Sequence, residues 1–535
     1  MFRITLFVLL VATSAAVPAA TLIVDTGSDL ALSDCDDGIS ADCSLRGAIE
    51  KANLSSIEDT IHFAIPESDP SYQAATAHWQ ISVDATSLPA FEAPVVIDGY
   101  SQAGAVANTN TPDDGGLNGG LKIELRAVAT GANAQSGLET SLNFFSQGAS
   151  TIRGLAISGF GNQIALSGSA AHRIEGCYLG TTVNGNAAAS VGGTVGVGVR
   201  LYGPGNYIIG GRQPEERNLI SGMRTAIFGL SALDGIEVLG NLIGTDASGV
   251  SAIGHSDYAA LSFGNGITNA HIGGIDSAAR NLISGNRIGA IDLSYSGGPN
   301  PFAGVRIEGN YIGTDVTGTR ALPNGDLGFQ TRAAITVFGA NSCALEIGGS
   351  APGAANLIAF NAGAGIQVSQ CEGVLAYGNQ FSGNAIGIDL SVTSNADGAT
   401  SNDAGDGDNG GNQMQNSPVI TLPPGFLVSG GTSVALSYVV DSAPANSSFP
   451  LTVYFYRAGC NGGGRELVAS DTYGEADAQL ARNFQIDTDA NVLPLTALAV
   501  DAAGNTSEFS TMLGDELFVD GFEDSPGVFS AGQCR

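Results

Sequence analysis

The chain is short of positive charge. Only 20 of its 535 residues are Lys or Arg, against 51 Asp and Glu, which gives a formal net charge of −31. Such a surface repels nucleic-acid phosphates and anionic lipid, so nucleic acid is excluded as a partner. It repels polyuronates too, unless cations bridge them. Charged residues of both signs amount to 13% and hydrophobic ones to 43%, the opposite of a disordered composition. Gly is abundant at 76 residues but lacks the three-residue period of collagen. No helical periodicity separates the short apolar runs of the middle of the chain. A doubly wound parallel sheet needs crossover helices there, so that fold is excluded.

Recognisable catalytic signatures are missing as well. There is no "GHG", no "HExxH", no "GxSxG" and no phosphate loop with its Lys. The five histidines, His62, His78, His172, His255 and His271, have no zinc-ligand spacing. Beyond the first 20 residues no apolar run is long enough to span a membrane. Those first residues read as a signal peptide: Arg3, the apolar "ITLFVLLVATSAAV", then the small residues of "VPAA". The mature protein is expected outside the cell or on its surface, where disulfides form. Of seven cysteines, Cys35 and Cys43 bracket a short acidic loop and form a natural pair. Cys343 with Cys371, and Cys460 with Cys534, are further pairings, leaving Cys177 over.

What the chain does have is repetition. "CYLGTTVNG" (177–185), "NLIGTDASG" (241–249) and "NYIGTDVTG" (310–318) alternate with a second phrase. That phrase reads "IIGGRQPEERNLISG" (208–222), "HIGGIDSAARNLISGN" (271–286) and "EIGGSAPGAANLIAFN" (346–361). Its asparagines Asn218, Asn281 and Asn356 are 63 and 75 residues apart. Short Ile/Leu/Val runs punctuated by Gly, Asn and Asp, repeated at such a period, build a solenoid. Three coils per period would give roughly 21–25 residues each. Asn at matching positions of stacked coils predicts side-chain ladders.

Several segments carry a family resemblance. "CSLRGAIEKAN" (43–53) resembles the CSLREA segment that opens many exported bacterial β-helix proteins, departing from it at Gly47. "GIDLSVTSNADGATSNDAGDGDNGGNQMQNSPVI" (387–420) resembles the segment that closes such helices, and "AVDAAGNTSEFS" (499–510) the last strands of the sandwich that follows. "LFVDGFED" (517–524) resembles a tail of exported bacterial proteins. The resemblance implies an all-β chain: a right-handed parallel β-helix of pectin-lyase-like architecture with a short N-terminal capping helix, then an immunoglobulin-like β-sandwich. The expected organisation is signal peptide 1–20, capping segment 21–60, β-helix 61–395, acidic linker 396–416, sandwich 417–512 and tail 513–535. In the capping helix Ser44 is the N-cap, and Leu45, Ala48, Ile49 and Ala52 share one face. The loop 101–120 is expected to project from the solenoid, where binding residues usually sit.

Relatives by fold include pectate lyases and polygalacturonases, but fold alone does not carry function. Asp246 and Asp315 ("IGTD") and Asp292 and Asp389 ("IDLS") recur in register and are the catalytic candidates. "GTDxxG" also reads as a tight turn whose Asp bonds its own backbone, and Thr182 stands at the matching place in the first repeat. Asn402, Asp403, Asp406 and Asp408 are the candidate ligands for Ca²⁺, the one cofactor the sequence suits. Tyr100, Trp79 and Tyr202 are candidate sugar-stacking residues. The expected function is binding of a polysaccharide or cell-surface glycan by a secreted, adhesin-like protein. A polysaccharide lyase or glycosidase is the alternative, and a purely structural surface protein the third class. The region after the β-helix is too small for the membrane barrel of an autotransporter.

Overall fold

The computed structural model describes residues 19–513, less 37, 84–86, 129–141, 147, 190–195, 296–300, 326–331, 423–432, 460–462 and 488–492. Strands dominate, and the chain from 59 to 391 winds as a three-faced solenoid. One turn of it runs Val197–Tyr202, Ile208–Gly210, Leu219–Ile220; the next runs Thr225–Gly229, Glu237–Leu239, Leu242–Ile243. Each strand pairs in parallel with its counterpart one coil on, as in Leu201 with Gly229, Ile209 with Val238, and Ile220 with Ile243. Two faces are joined by the long strands Ile335–Gly348 and Ile366–Tyr377 and merge into one 18-stranded sheet; the third is an 11-stranded sheet.

Parallel register stacks like on like. Ile209, Val238, Ile272, Ile307 and Ile347 form one inward row, and Ile220, Ile243, Ile283, Ile312 and Ile358 another. None of these ten is more than 1% exposed, and each contributes about 1.5–3 kcal/mol of burial. This is why Ile ends the recurring "NLI".

The Asn of the same phrase builds the predicted ladder. Asn218, Asn241, Asn281, Asn310, Asn356 and Asn379 lie one above another, each Nδ2 donating to the next Oδ1 at 2.9–3.0 Å. Their Nδ2 atoms also close backbone carbonyls, Ile174 to Asn218 and Ile209 to Asn241 among them. Cys177, buried and free, stands at the foot of this ladder, where its amide donates to Asn218 Oδ1. A second ladder runs through Asn286, Asn324, Asn361 and Asn384, with the amide of the buried His255 donating to Asn286 Oδ1.

The ladder corrects the coil count. Its steps are 23, 40, 29, 46 and 23 residues, so the 63–75-residue period holds two coils rather than three. Alternate coils carry the "GTDxxG" phrase as a small hairpin, closed by the bridges Thr181–Ala188, Thr245–Ala252 and Thr314–Ala321. The hairpins stack directly on one another, Ala247 N donating to Gly185 O and Val316 N to Gly249 O.

Loop 101–120 does not project. It lies as a strap across the 11-stranded sheet and reaches residues more than 100 positions on. Leu117 N donates to Ala247 O, and Asp113 takes Ser277 and Arg280. Arg217, 2% exposed, donates to Asn110 O and Gly115 O in the strap and to Gly240 O below it. Beneath the strap Leu121, Tyr178, Leu219, Leu242 and Leu282 form a separate apolar cluster, with Leu117 packed on it. The Arg of "RNLI" is therefore the strap's anchor; in the third repeat, beyond the strap, the same place is Ala355.

At the N-terminal end the helix Leu45–Ala52 has Ser44 as N-cap, its Oγ accepting Gly47 N, and buries Leu45, Ala48, Ile49 and Ala52. Gly47 is needed there, because a Cβ would stand 1.8 Å from Leu32 O. Cys35–Cys43 and Cys343–Cys371 are disulfide-bonded. Cys460 and Cys534 lie outside the described residues, as do residues 1–18 and the tail from 514. After the solenoid, Val419–Thr421, Ser433–Val439 and Arg482–Asp487 form one antiparallel sheet, and Leu451–Ala458, Gly464–Tyr473 and Leu495–Val500 another. They enclose a shared core that includes Leu436, Val453, Phe455 and Ala497.

Candidate ligand-binding face

Register brings one set of outward side chains into line. Arg200, Phe228, Ser262, Asp292, Thr336, Gln367 and Asp389 are paired strand to strand along one face. At its start the row carries aromatic rings. Arg200 lies over Phe228, 5.1 Å from the ring centre, and over Tyr202 at 5.9 Å. Phe228 meets Tyr258 at 5.2 Å, and Arg224 lies over Tyr258 at 5.5 Å. Tyr202 is 38% and Tyr258 41% exposed. Asn162 Oδ1 accepts Arg200 Nε, and Asp257 pairs with Arg224 at 2.8 Å. These contacts hold the guanidinium groups over the rings, with the Phe228 and Tyr258 rings tilted 47° to each other. Flat, partly exposed rings flanked by fixed donors suit the apolar face and hydroxyl edge of a sugar ring.

Of the three rings singled out in the sequence, only Tyr202 belongs to this face. Trp79 is 4% exposed and spends its Nε1 on Pro66 O. Tyr100 packs under the strap, its hydroxyl donating to Gly176 O at 3.1 Å, and burial pushes that hydroxyl's pKa up. Phe228 and Tyr258 carried no signal: one outward residue per coil, 28–34 positions apart, makes no local pattern.

The four recurrent carboxylates are not brought together. Asp246 and Asp315 sit in hairpins two strands apart, roughly 9–10 Å by strand spacing. Each is consumed by its own turn: Asp246 Oδ1 takes Val250 N and Ser251 N, and Asp315 Oδ1 takes Thr317 N, Thr319 N and Arg320 N. Thr182, at the matching place, is a donor instead, its hydroxyl facing Asn184 Oδ1 at 2.7 Å and Asn186 Oδ1 at 3.2 Å. Asp292 and Asp389 share the outward row but stand three strands apart, roughly 14 Å. A retaining pair needs about 5–5.5 Å and an inverting pair about 6.5–9.5 Å, so this pair fits neither. Asp292 is bound to Arg332 at 3.2 Å and to Ser294. Asp389 is buried, 1% exposed, and burial pushes its carboxyl up to about 6.

The linker candidates divide. One oxygen from each of Asp403, Asp406 and Asp408 lies within 4.8 Å of the other two. Asn402 is outside this group and exchanges hydrogen bonds with Ser417. Asp406 is buried and accepts from Ser442, Ser447, Gln415 and Asn416 N. Asp408 Oδ1 is buried without a hydrogen-bond partner. Burial first, then the Asp403 charge, holds Asp408 above the usual carboxylate range. Of these three hard oxygens only that of Asp408 is unsatisfied, since Asp403 accepts Gly407 N and Asp406 already has four donors. The histidines stay apart: His78 pairs with Glu124 at 3.0 Å, His172 and His255 are buried, and His271 is exposed.

No protein-family model matches this chain, and no curated protein matches it. No helix among the described residues is long and apolar enough to cross a membrane.

Proposed function

We propose that this is an exported β-helix protein that binds a polysaccharide along the Arg200–Phe228 row. The observation that carries the reading is the run of rings, exposed Tyr202 and Tyr258 and partly buried Phe228, interleaved with Arg200 and Arg224 on one sheet face. Rigid aromatic platforms lose little entropy on binding, so few contacts suffice. The signal sequence supports delivery to the cell surface or beyond. The same reading takes the helix Leu45–Ala52 as the solenoid's cap, the two C-terminal sheets as an immunoglobulin-like accessory module, and the chain as one of the CSLREA-type proteins of pectin-lyase-like architecture. Ca²⁺ would be held by Asp403, Asp406 and Asp408, where it would stiffen the junction between linker and sheets.

The test is retention of the mature protein on immobilised neutral and uronic polysaccharides, with and without Ca²⁺. New reducing ends and the absorbance of unsaturated uronic products are followed in parallel. Binding without product is expected, and Phe228→Ala with Tyr258→Ala should weaken it at least tenfold while leaving the melting temperature unchanged. Product formation would establish the lyase or glycosidase reading instead. Silence in both assays would leave a structural surface protein.

A further inference from the structure

The solenoid begins on a buried acid. Strand Thr21–Val24 pairs in parallel with Asp59–Phe63, Thr21 beside Thr60 and Val24 beside Phe63. Asp59 lies on the inward side of its strand with Ile61 and Phe63, and only 2% of it is exposed. A carboxylate so placed calls for a cation, because burial strips it of water. Among the described residues no Arg, Lys or His side chain pairs with it. What meets it is main chain: Ala20 N donates to Asp59 Oδ1 at 2.6 Å.

Ala20 stands where the leader should end. The apolar run closes on Val17, Pro18, Ala19 and Ala20, so a small residue precedes either of two cuts, after Ala19 or after Ala20. The strand pairing tells the two apart. Thr60 N donates to Ala20 O at 2.9 Å and Ala64 N to Val24 O at 2.8 Å. Ala20, Leu22 and Val24 therefore turn their backbone groups toward Asp59–Phe63, and Thr21 and Ile23 turn theirs away. A cut after Ala20 would put the new amino group on Thr21, facing away from Asp59, and would take from Thr60 N its acceptor. A cut after Ala19 leaves it on Ala20, on the atom already 2.6 Å from Asp59 Oδ1. Ala19 itself is exposed.

We infer, on the reading of the first residues as a signal sequence, that export cuts the Ala19–Ala20 bond and that the α-ammonium of Ala20 then serves as the counter-ion of Asp59, fastening the first strand of the solenoid to the second. The cut is a hydrolysis. Water supplies the second oxygen of the Ala19 carboxylate, which leaves with the leader, and both its hydrogens go to the nitrogen of Ala20, which turns from amide into ammonium. A lone buried charge thereby becomes an ion pair at the same atoms. The mature chain begins one residue before the boundary drawn from the sequence. The precursor, with a neutral amide at that place, holds its first strand less firmly than the mature protein does.

The intact mass and N-terminal sequence of the exported protein test the cut, and the chain should begin at Ala20. A chain cut at any other bond overturns the inference and leaves the signal reading standing; an uncut chain overturns both. Urea unfolding tests the ion pair. A Gly inserted between Ala19 and Ala20 keeps the residues before the cut, moves the ammonium one residue off and leaves an amide at Ala20; its N-terminus is checked by mass. The unfolding constant of this longer chain should exceed the parent's by about tenfold or more, the scale of one hydrogen bond between charged groups. In Asp59→Asn the same insertion should change the constant by less than about twofold, because the ammonium has no carboxylate to lose. An insertion with equal effects in both backgrounds, or with none in the parent, overturns the ion pair. The parent comparison alone decides the matter if Asp59→Asn does not fold.

Discussion

At its N-terminal end the solenoid meets the apolar face of a helix; at its C-terminal end it meets hydrogen-bond acceptors as well as the apolar side chains of Met414, Tyr456, Leu498 and Val500. The first end buries Leu45, Ala48, Ile49 and Ala52 in the main apolar cluster. The second offers Asn505, Asn412, Thr506 and Glu508 to strand amides that have no further coil to pair with. A solenoid end poses two separate problems, exposed core and orphaned backbone groups, and each costs free energy if left open. Here the helix packs its apolar face into the core, and the C-terminal segments offer side-chain acceptors to the amides of Gly373, Val374, Ala376 and Leu390. A shape-based end should be intolerant of volume. An acceptor-based end should fail gradually, one hydrogen bond at a time.

The sharpest break in that contrast is Gly47→Glu, the residue that the CSLREA pattern carries. Overpacking against Leu32 costs about 3 kcal/mol, and a carboxylate buried without a partner adds several more, so no folded protein is expected. Recovery of soluble Gly47→Glu with the parent's circular dichroism and melting temperature would show that the helix end is not packed as described.

Between the ends, Asn281→Ala interrupts the ladder, orphaning Asn241 N, Asn241 Nδ2 and Val238 O. Urea unfolding should register a loss of about 3–5 kcal/mol. A loss below 1 kcal/mol would mean that the ladder contributes little to stability.

His255 gives the ladder a pH signature of its own. Its Nδ1 accepts Met223 N and its Nε2 donates to Ile220 O, and burial lowers it to about 4 from 6.5. A lowered value means stability present above 6.5 and lost as pH falls toward 4, about 3 kcal/mol in all. His255→Gln should start less stable at pH 7.5 and lack that fall; parallel stability–pH curves for parent and variant would contradict this.

The mildest change belongs to the C-terminal end. Asn505→Ala leaves Gly373 N without its acceptor and takes one donor from Asp501 Oδ2, and should cost about 1–2 kcal/mol. Equal damage from Asn505→Ala and Asn281→Ala would erase the distinction between ladder and end.

The parts of the fold written as repeats were legible in the sequence. "NLI" foretold one inward Ile row and the Asn ladder, because parallel stacking places equivalent residues of successive coils side by side. Ser44 and the spacing of Leu45, Ala48, Ile49 and Ala52 foretold the helix. Coil length was misjudged, since the hairpins and other loops vary in length from coil to coil and hide where one coil ends. The strap was misjudged because nothing local in 101–120 tells a projecting loop from one lying flat. Its signal was elsewhere, in the Arg that precedes Asn218 and Asn281 but not Asn356. The aromatic face and Glu508 were invisible for a common reason: their partners are separated by long, unequal stretches, 118 residues between Glu508 and Leu390.

The hairpins of alternate coils have a consequence for how this molecule can change length. Because Ala247 N rests on Gly185 O and Val316 N on Gly249 O, each hairpin spans the height of two coils. Deleting or duplicating a single coil would drive two hairpins into one storey or leave a storey empty. Growth and shortening are therefore quantised in coil pairs, near 10 Å of axis at a time by strand spacing. An engineer lengthening the solenoid, or a genome duplicating part of it, must cut in units of the 63–75-residue phrase with which the sequence repeats itself.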